Sequence, residues 1–254
     1  MPIAVITGGG GVLRDASAKA LASRGYDVVV TGRTAATLDA SVAAVEELGR
    51  RGLAVPGDVS GEAHVDAVFA AAAELGPVEA VLHAAATHGT PMRLVDVPLE
   101  EREHVIATNM RSTFLVTRAA LRQMVPRRRG AIVLVASAGI LRGFPLAAPY
   151  AATKSSLVGF ARTLAAEVSP DGVRVNVLTP GAMPEAAIYR SAMPGIAKEL
   201  GIDPEKGKEL LESMSALRRA CTPEEMARAV VYLATDDSSL MTGQNLVVDA
   251  GLTT

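Results

Sequence analysis

Short apolar runs alternate along this chain with longer segments in which apolar residues recur at helical spacing. The runs are rich in valine and isoleucine and are bounded by glycine, proline or polar residues, which is typical of buried strands. Because two parallel strands need a crossover connection between them, this alternation predicts βαβ units. The sequence therefore predicts an α/β fold with a doubly wound parallel sheet.

The length of 254 residues fits one large α/β domain, so we expect residues 1–254 to form a single domain. Residues 185–215 are of mixed character with interrupting prolines and glycines, and we expect a substrate lid there. The predicted strands are Ile3–Thr7, Asp27–Thr31, Leu53–Pro56, Val78–Ala84, Ala131–Ala136, Val173–Leu178 and Asn245–Val248. The main predicted helices are Val12–Ser23, a segment with Leu38 and Val42 on one face, Gly61–Leu75, Glu100–Val125, Tyr150–Val168 and Pro223–Ala234.

The composition limits both the core and the partners. Hydrophobic residues make up 49% of the chain but aromatic residues only 3%, so the core must consist mainly of aliphatic side chains. The formal net charge of −2 gives no sign of a nucleic-acid or membrane surface. The one cysteine, Cys221, cannot form an internal disulfide and fits a reducing compartment. We expect a cytoplasmic protein with a small-molecule partner and no metal site.

A strand–turn–helix pattern at the N-terminus points to a nucleotide. Strand Ile3–Thr7 is followed by the glycines Gly8–Gly11 and then by a predicted helix. Small residues at such a turn let backbone N–H groups and the helix N-terminus approach a pyrophosphate. A turn that only joins the strand to the helix is the alternative.

A second pattern is formed by Tyr150 and Lys154, which lie four residues apart at the start of a predicted helix and share its face. An adjacent cation favours the phenolate, so we expect Lys154 to lower the pKa of Tyr150. Ser137 follows strand Ala131–Ala136, and its hydroxyl can hydrogen-bond the same oxygen atom that Tyr150 protonates. An exposed tyrosine and lysine on a helix face are the alternative.

These patterns and further segments resemble the short-chain dehydrogenase/reductase family from Ile3 to Gly251. The resemblance implies a Rossmann-type, three-layer α/β/α domain that binds a nicotinamide cofactor and assembles into a homotetramer or homodimer. The matching segments are Val5–Gly9, Asp58–Val59, Thr108–Asn109, Ser137–Lys154, Arg174–Gly181, Thr222–Ala234 and Thr242–Gly251.

The resemblance assigns a catalytic tetrad to Asn109, Ser137, Tyr150 and Lys154. It implies that Tyr150 is the general acid in reduction of a ketone to a secondary alcohol by hydride transfer, and the base in the reverse direction. Lys154 would hold the nicotinamide ribose, and Ser137 would hydrogen-bond the substrate oxygen. Asn109, in a bent helix, would hold a water that relays protons. A strand-end hydroxyl and a helical asparagine bonded to its own backbone are the alternatives for Ser137 and Asn109.

The glycine turn departs from the family pattern TGxxxGxG. Gly8 matches the first glycine, but Val12 and Arg14 stand where the second and third glycines are expected. Val12 would crowd the approach of the pyrophosphate, and Arg14 could either pair with a phosphate or fill the pocket. We expect cofactor contacts at Gly8, Gly11, Leu13 and Arg14.

The end of the second strand bears on the choice of cofactor. Related NAD enzymes carry an acid there for the ribose 2′-OH, whereas this chain has Gly32 followed by Arg33. A guanidinium suits a 2′-phosphate, so we expect NADP(H) to be preferred and NAD(H) to be possible. A plain surface cation is the alternative for Arg33. Asp58 and Val59 match the family's adenine contact, for which a capping role of Asp58 is the alternative.

Two more loops are expected at the cofactor. The family's Asn-Asn-Ala-Gly is His83–Ala86 in this chain, and we expect a structural role for the histidine. Pro180–Gly181 matches the loop over the nicotinamide, but Glu185 replaces a threonine, so that loop should follow a different course. The expected contacts in these loops are Ala84, Ala85, Pro180 and Gly181, beside Tyr150 and Lys154.

The expected substrate pocket is mostly aliphatic, which suggests a ketone or alcohol with apolar bulk. Its candidate residues are Gly139, Phe144, Met183 and Met193, and plain packing is the alternative for both methionines.

Two other functional hypotheses stay open. One is a non-catalytic relative with impaired or lost dinucleotide binding, which Val12, Arg14 and Glu185 favour. The other is a tetrad used for non-redox chemistry such as isomerisation. Retention of all four tetrad residues favours the oxidoreductase.

Overall fold

Seven parallel strands form one sheet in the computed structural model, which describes residues 1–8 and 11–254. The strands are β1 (Ile3–Thr7), β2 (Asp27–Gly32), β3 (Gly52–Pro56), β4 (Val78–His83), β5 (Gly130–Val135), β6 (Val173–Pro180) and β7 (Asn245–Val248). Their order across the sheet is β3-β2-β1-β4-β5-β6-β7, and each neighbouring pair is parallel. Gly9 and Gly10 of the expected phosphate turn lie outside the described residues.

Helices connect successive strands and cover both faces of the sheet. Over the described part of the chain they are α1 (Val12–Ser23), α2 (Ala35–Glu46), α3 (Glu62–Leu75), α4 (Leu99–Ile106), α5 (Ser112–Arg127), α6 (Gly139–Arg142), α7 (Ala148–Val168), α8 (Ala187–Leu200), α9 (Pro204–Met214) and α10 (Pro223–Ala234). No helix among them is long and apolar enough to cross a membrane.

The sheet is buried on both faces because successive residues of a strand point to opposite sides. Ile3 and Val5 of β1 share a core cluster with residues of α3, α5 and α7, whereas Ala4 and Ile6 share one with α1, α2 and α10. Every residue of β1 is at most 1% exposed, and each buried valine or isoleucine contributes about 1.5–3 kcal/mol. The predicted doubly wound, Rossmann-type three-layer fold is confirmed.

The long helix predicted over Glu100–Val125 is divided in the structure. A π-helical turn, Ala107–Arg111, joins α4 to α5 and contains Asn109, where the family resemblance implies a bent helix. Such turns carry one extra residue and interrupt the regular hydrogen bonding of the helix.

Residues 185–215 are more regular than their mixed sequence suggested. They form α8 and α9, and α8 continues through Pro194. Asp203 caps α9 by accepting a hydrogen bond from the Glu205 amide, 3.0 Å away. The cap at Asp203 therefore accounts for the start of α9.

The strand order reverses between β1 and β4, whose carboxyl ends lie side by side. Thr7 is paired with His83 on one side and with Thr31 of β2 on the other. Ligands of open α/β sheets bind outside the carboxyl ends of the strands at such a reversal. The candidate site residues predicted from the sequence follow these strand ends.

Candidate active site

Tyr150 and Lys154 lie in the first two turns of α7, which starts just after Ala147. Pro149 in the first turn costs no helical hydrogen bond, because the first N–H groups of a helix have no partner in it. The Lys154 side chain is 4% exposed, and its Nζ donates a hydrogen bond of 2.6 Å to the Val135 carbonyl of β5. Tyr150 is half-buried and is hydrogen-bonded to the Ser137 hydroxyl.

Burial governs the acid–base properties of this pair. It raises the pKa of Tyr150 above its ordinary value, and the hydrogen bond with Ser137 only partly opposes this. Burial also lowers the pKa of Lys154 to about 8. The expectation that Lys154 lowers the pKa of Tyr150 is wrong for this geometry. The Lys154 Nζ lies 5.9 Å from the centroid of the Tyr150 ring and is engaged by a backbone carbonyl instead.

Asn109 connects the π-helical turn to the loop after β4 and to α7. Its Oδ1 accepts a hydrogen bond of 2.8 Å from the Thr87 amide, and its Nδ2 donates to the Thr87 carbonyl at 3.0 Å. Nδ2 also donates to Thr153 Oγ1, 2.9 Å away, and that hydroxyl bonds the Tyr150 carbonyl at 2.8 Å. The side chain therefore bonds other segments rather than its own backbone, and the water relay stays a prediction.

Ser137 is the second residue after β5, where the substrate oxygen is expected. Its Oγ accepts a hydrogen bond of 3.2 Å from the Gly139 amide. A side chain at Gly139 would begin 3.4 Å from both Ser137 Oγ and the Phe144 ring, so these two substrate candidates lie beside the hydroxyl.

The two methionines proposed for the pocket take part in packing. Met183 is 9% exposed and belongs to the same core cluster as Cys221. The Met193 sulfur lies 2.5 Å from the position that a side chain on Gly207 would take, so it packs between α8 and α9. These contacts favour the packing alternative for both residues.

His83 joins β4 to the neighbouring elements. Its ring nitrogens lie 2.8 Å from Thr7 Oγ1 and 3.2 Å from Ser112 Oγ. Complete burial, assisted by the charge of Lys154, lowers the pKa of His83 to about 3. The imidazole is therefore a neutral structural group, as the sequence led us to expect.

A second histidine, His88, lies directly against Tyr150. The centroids of the His88 and Tyr150 rings are 5.0 Å apart, and the ring planes make an angle of 27°. Burial lowers the pKa of His88, more than its hydrogen bond to the Gly89 carbonyl raises it. No motif in the sequence pointed to this residue, which lies in a loop without regular spacing.

Several known proteins are similar to this chain over nearly its whole length. The profile of a family described as Enoyl-(Acyl carrier protein) reductase matches residues 15–253. The Short-chain reductase protein NovJ of Streptomyces niveus is 32% identical, and the match covers 98% of this chain and 93% of NovJ. The chain belongs to the short-chain dehydrogenase/reductase family.

Two further relatives help to interpret this short-chain dehydrogenase/reductase. The crystal structure of a single-residue variant of actinorhodin polyketide ketoreductase with NADPH superimposes with a TM-score of 0.93 at 28% identity, covering 99% of this chain and 97% of the other. The Inactive 2-(S)-hydroxypropyl-CoM dehydrogenase 2 of Xanthobacter autotrophicus is 33% identical over 93% of this chain and 99% of that protein.

A short-chain dehydrogenase/reductase needs a place for the cofactor pyrophosphate, and the described part of the glycine turn fits one. Gly8 has a φ of +132°, and a side chain on it would come within 3.2 Å of the Ala84 carbonyl carbon. Gly11 precedes α1, and a side chain on it would meet no atom within 4 Å among the described residues other than its chain neighbours. The positive end of the helix dipole at this position favours an anion. The side chains of Leu13 and Val59 point into the core, which leaves only their backbones for a ligand.

Arg14, in place of the family's third glycine, is 1% exposed. NH1 donates to the Gly8 carbonyl at 3.1 Å, and NH2 donates to the Thr37 carbonyl at 2.9 Å. The Ser41 hydroxyl and the Asp15 carboxylate accept from the same guanidinium at 3.1 and 2.7 Å. Of the two roles expected for Arg14, this arrangement supports filling of the pocket and not phosphate pairing.

The end of β2, where the adenosine of a cofactor is expected, carries an exposed cation. Arg33 follows β2 and, among the described residues, has no carboxylate within ion-pair distance. Burial tends to raise the pKa of Asp58, but hydrogen bonds from Ser60 and the charge of Arg33 outweigh it and lower the pKa. Arg33 and Asp58 therefore lie near each other, and Asp58 also orders its own turn through the Ser60 amide, 2.8 Å away.

The loop after β6 closes the site from the other side. The Pro180 carbonyl accepts a hydrogen bond of 2.9 Å from the Ala138 amide, and the Gly181 amide donates to the Val248 carbonyl at 3.0 Å. A side chain on Gly181 would lie 2.6 Å from the Asp249 Cα, so only glycine fits there. The structure thus brings the tetrad and these cofactor candidates to one edge of the sheet, while the two methionines pack into the protein.

Proposed function

We propose that this protein is an NADP(H)-dependent oxidoreductase that interconverts a ketone and a secondary alcohol. The observation that carries the proposal is the convergence of Ser137, Tyr150, Lys154 and Asn109 at the carboxyl edge of the sheet. Lys154 is fixed there by the Val135 carbonyl, and Asn109 is linked to the helix of Tyr150 through Thr153. The nicotinamide cofactor, when bound, supplies the hydride for reduction or accepts it in the reverse reaction.

In the proposed reaction Tyr150 donates its phenolic proton to the substrate oxygen, and the Ser137 hydroxyl hydrogen-bonds the same oxygen. Because burial raises the pKa of Tyr150, the phenol keeps its proton at neutral pH and is in the form that reduction requires. Because the pKa of Lys154 is about 8, its amine is only partly protonated near pH 8.

The preference for NADP(H) is supported by Gly32 and Arg33 at the end of β2. An exposed guanidinium without a carboxylate partner among the described residues is suited to a 2′-phosphate. The similarity to a ketoreductase solved with NADPH agrees with this choice. We propose that Arg33 contacts the 2′-phosphate and that NAD(H) binds more weakly.

The proposal extends to the surroundings of the site. Gly139 and Phe144 line the substrate pocket beside Ser137, and α8 with α9 forms a lid within a single domain. A side chain on Gly195 of α8 would come within 3.2 Å of Pro91, which brings the lid next to the loop after β4. The protein acts on a small apolar ketone in the cytoplasm, as a homodimer or homotetramer, and the free buried Cys221 agrees with a reducing compartment.

The second candidate function is a non-catalytic relative with weak or lost dinucleotide binding. Arg14 favours it, because the guanidinium is committed to protein acceptors where the family has a glycine. A relative that is 33% identical is named as inactive, which agrees with this candidate.

Binding and turnover separate the two candidates. Titration with NADPH and NADH, followed by nicotinamide fluorescence, is expected to give micromolar NADPH binding, with NADH weaker. Reduction of a panel of apolar ketones is then expected to fall roughly a thousandfold in Tyr150→Phe, because the proton donor is lost. Tyr232→Phe removes an exposed phenol of α10 and serves as the matched control. Absence of binding at millimolar NADPH would contradict the first candidate and favour the second.

A further inference from the structure

The imidazole of His88 covers one face of the Tyr150 ring. The ring centroids are 5.0 Å apart and the planes are inclined by 27°, which is an offset-stacked arrangement. His88 Nδ1 lies 3.3 Å from the Gly89 carbonyl, so one ring nitrogen is directed back to its own loop. Both rings are half-buried, and the contact therefore keeps water from a face of the phenol.

The loop that carries His88 has no helix or strand of its own, yet it is held on both sides of this residue. On one side, Asn109 bonds the Thr87 amide and carbonyl at 2.8 and 3.0 Å. On the other, the Thr90 amide donates a hydrogen bond of 2.5 Å to the Glu101 carboxylate. Fixed points at Thr87 and Thr90 leave the intervening segment little freedom, so the position of the His88 ring is specified by the fold.

Gly89 adds to this restraint. Its φ is +72°, a left-handed conformation that favours glycine, and a side chain there would come within 2.6 Å of Val105 on α4. Only a glycine at this position lets the loop turn tightly against α4 immediately after His88.

We propose that His88 is a positioning residue for Tyr150, whose stacked imidazole fixes the plane of the phenol ring and shields it from water. The ring stack acts through Tyr150 and requires no contact between His88 and substrate or cofactor. The inference rests on the proposed function in one respect, namely that Tyr150 is the acid–base group.

The stack can be tested without cofactor or substrate by titrating the phenol. The chain has four tyrosines and no tryptophan, so tyrosinate absorbance is readable, and subtraction of the curve of a Tyr150→Phe variant isolates Tyr150. Since burial is the main cause of the raised pKa of Tyr150, admission of water in His88→Ala should shift its titration to lower pH. His88→Phe keeps a planar ring and should leave the titration in place.

His104→Ala, an exposed histidine of α4, is the matched control and should not alter the curve. If His88→Ala does not fold, His88→Leu, which keeps apolar volume without a planar ring, takes its place. An unchanged Tyr150 titration in His88→Ala or His88→Leu would overturn the proposal. A shift in His88→Phe as large as in His88→Ala would overturn it as well, because ring stacking would then not be the cause.

Kinetics provide the second readout. Loss of the stack in His88→Ala should lower kcat roughly two- to tenfold, as expected for an aromatic pair, with the KM for NADPH unchanged and activity retained in His88→Phe. Equal kcat values in wild type and His88→Ala would count against positioning. Should no ketone be reduced by the wild type, the proposed function fails, and the absorbance titration still decides the role of His88.

Discussion

The catalytic end and the nucleotide turn of this protein differ in how far they depend on particular side chains. At the proposed catalytic end, Ser137, Tyr150 and Asn109 carry the residue types that the family resemblance implies, and Asn109 is held by hydrogen bonds with Thr87 and Thr153. At the turn, Gly8 and the N-terminus of α1 keep the expected backbone course, while Arg14 replaces a glycine and is buried. Proton transfer needs defined atoms, whereas a phosphate turn needs backbone amides and room, so different sequences can satisfy the second requirement.

Among the substitutions considered, replacement of Arg14 should have the largest effect, and the effect should be on stability. Arg14→Met removes donors to the Gly8 and Thr37 carbonyls and leaves buried acceptors without partners, so the free energy of unfolding should fall by about 3 kcal/mol. Urea denaturation measures this loss. Arg24→Met breaks an exposed ion pair with Asp237 and should cost only about 0.5 kcal/mol.

A loss in Arg14→Met as small as in Arg24→Met would mean that the turn does not depend on this guanidinium. A large fall in NADPH affinity with little loss of stability would instead support phosphate pairing by Arg14. The turn would then depend on a particular side chain, as the proposed catalytic end does.

His83 connects β1 at the glycine turn to α5 near the proposed catalytic end. Its lowered pKa predicts that the free energy of unfolding falls at acid pH. Its pKa in the folded protein is about 3, against an ordinary value of 6.5, so the unfolded chain binds a proton first as the pH falls. The contribution of neutral His83 to the free energy of unfolding is therefore fully present above pH 6.5 and is lost progressively towards pH 3. At pH 5 the loss amounts to about 2 kcal/mol.

His83→Asn cannot titrate, so the difference between its unfolding free energies at pH 7.5 and pH 5 should be smaller than that of the wild type by this amount. Paired urea curves at the two pH values provide the measurement, with the exposed His104→Asn as control. His64 and His88 also have lowered pKa values, but they are present in both proteins and cancel in the comparison. Equal pH dependence in wild type and His83→Asn would exclude His83 as the source.

Replacement of Arg33 should have the smallest of these effects, and it tests only the binding of the cofactor. Arg33→Ala should weaken NADPH binding about tenfold, because a charge-assisted contact with the 2′-phosphate is lost, and leave NADH binding unchanged. Nicotinamide fluorescence titrations with both cofactors give the two affinities. Lys19→Ala, an exposed cation of α1, controls for the general loss of positive charge. Equal weakening of both cofactors would favour the surface-cation interpretation.

The fold was predictable because its signal is distributed over many residues. The runs at Ile3–Thr7 and Val173–Leu178 are buried in the sheet as expected, and the carboxyl ends of β1 and β4 meet where the strand order predicts a site. The spacing of Tyr150 and Lys154 also predicted a shared helix face correctly. Periodicity and motif spacing follow from local backbone geometry and can therefore be read from the sequence alone.

Other features depend on contacts between distant segments. Burial is the main cause of the raised pKa of Tyr150, and the four-residue spacing to Lys154 does not indicate how deeply the phenol is buried. The acceptors around Arg14 come from α2 as well as from the turn. His88 contacts Tyr150 from the loop after β4, which is distant from α7 in the sequence. Such contacts become visible only after the chain has folded.

The π-helical turn at Ala107–Arg111 has a consequence for insertions and deletions. Because it carries one residue more than an α-helical turn, deletion of a single residue there would restore a continuous helix and rotate one half against the other by about 100°. Asn109 would then face away from Thr87 and Thr153 although every neighbouring side chain was kept. The length of this segment, as much as its composition, is therefore part of the information that assembles the site.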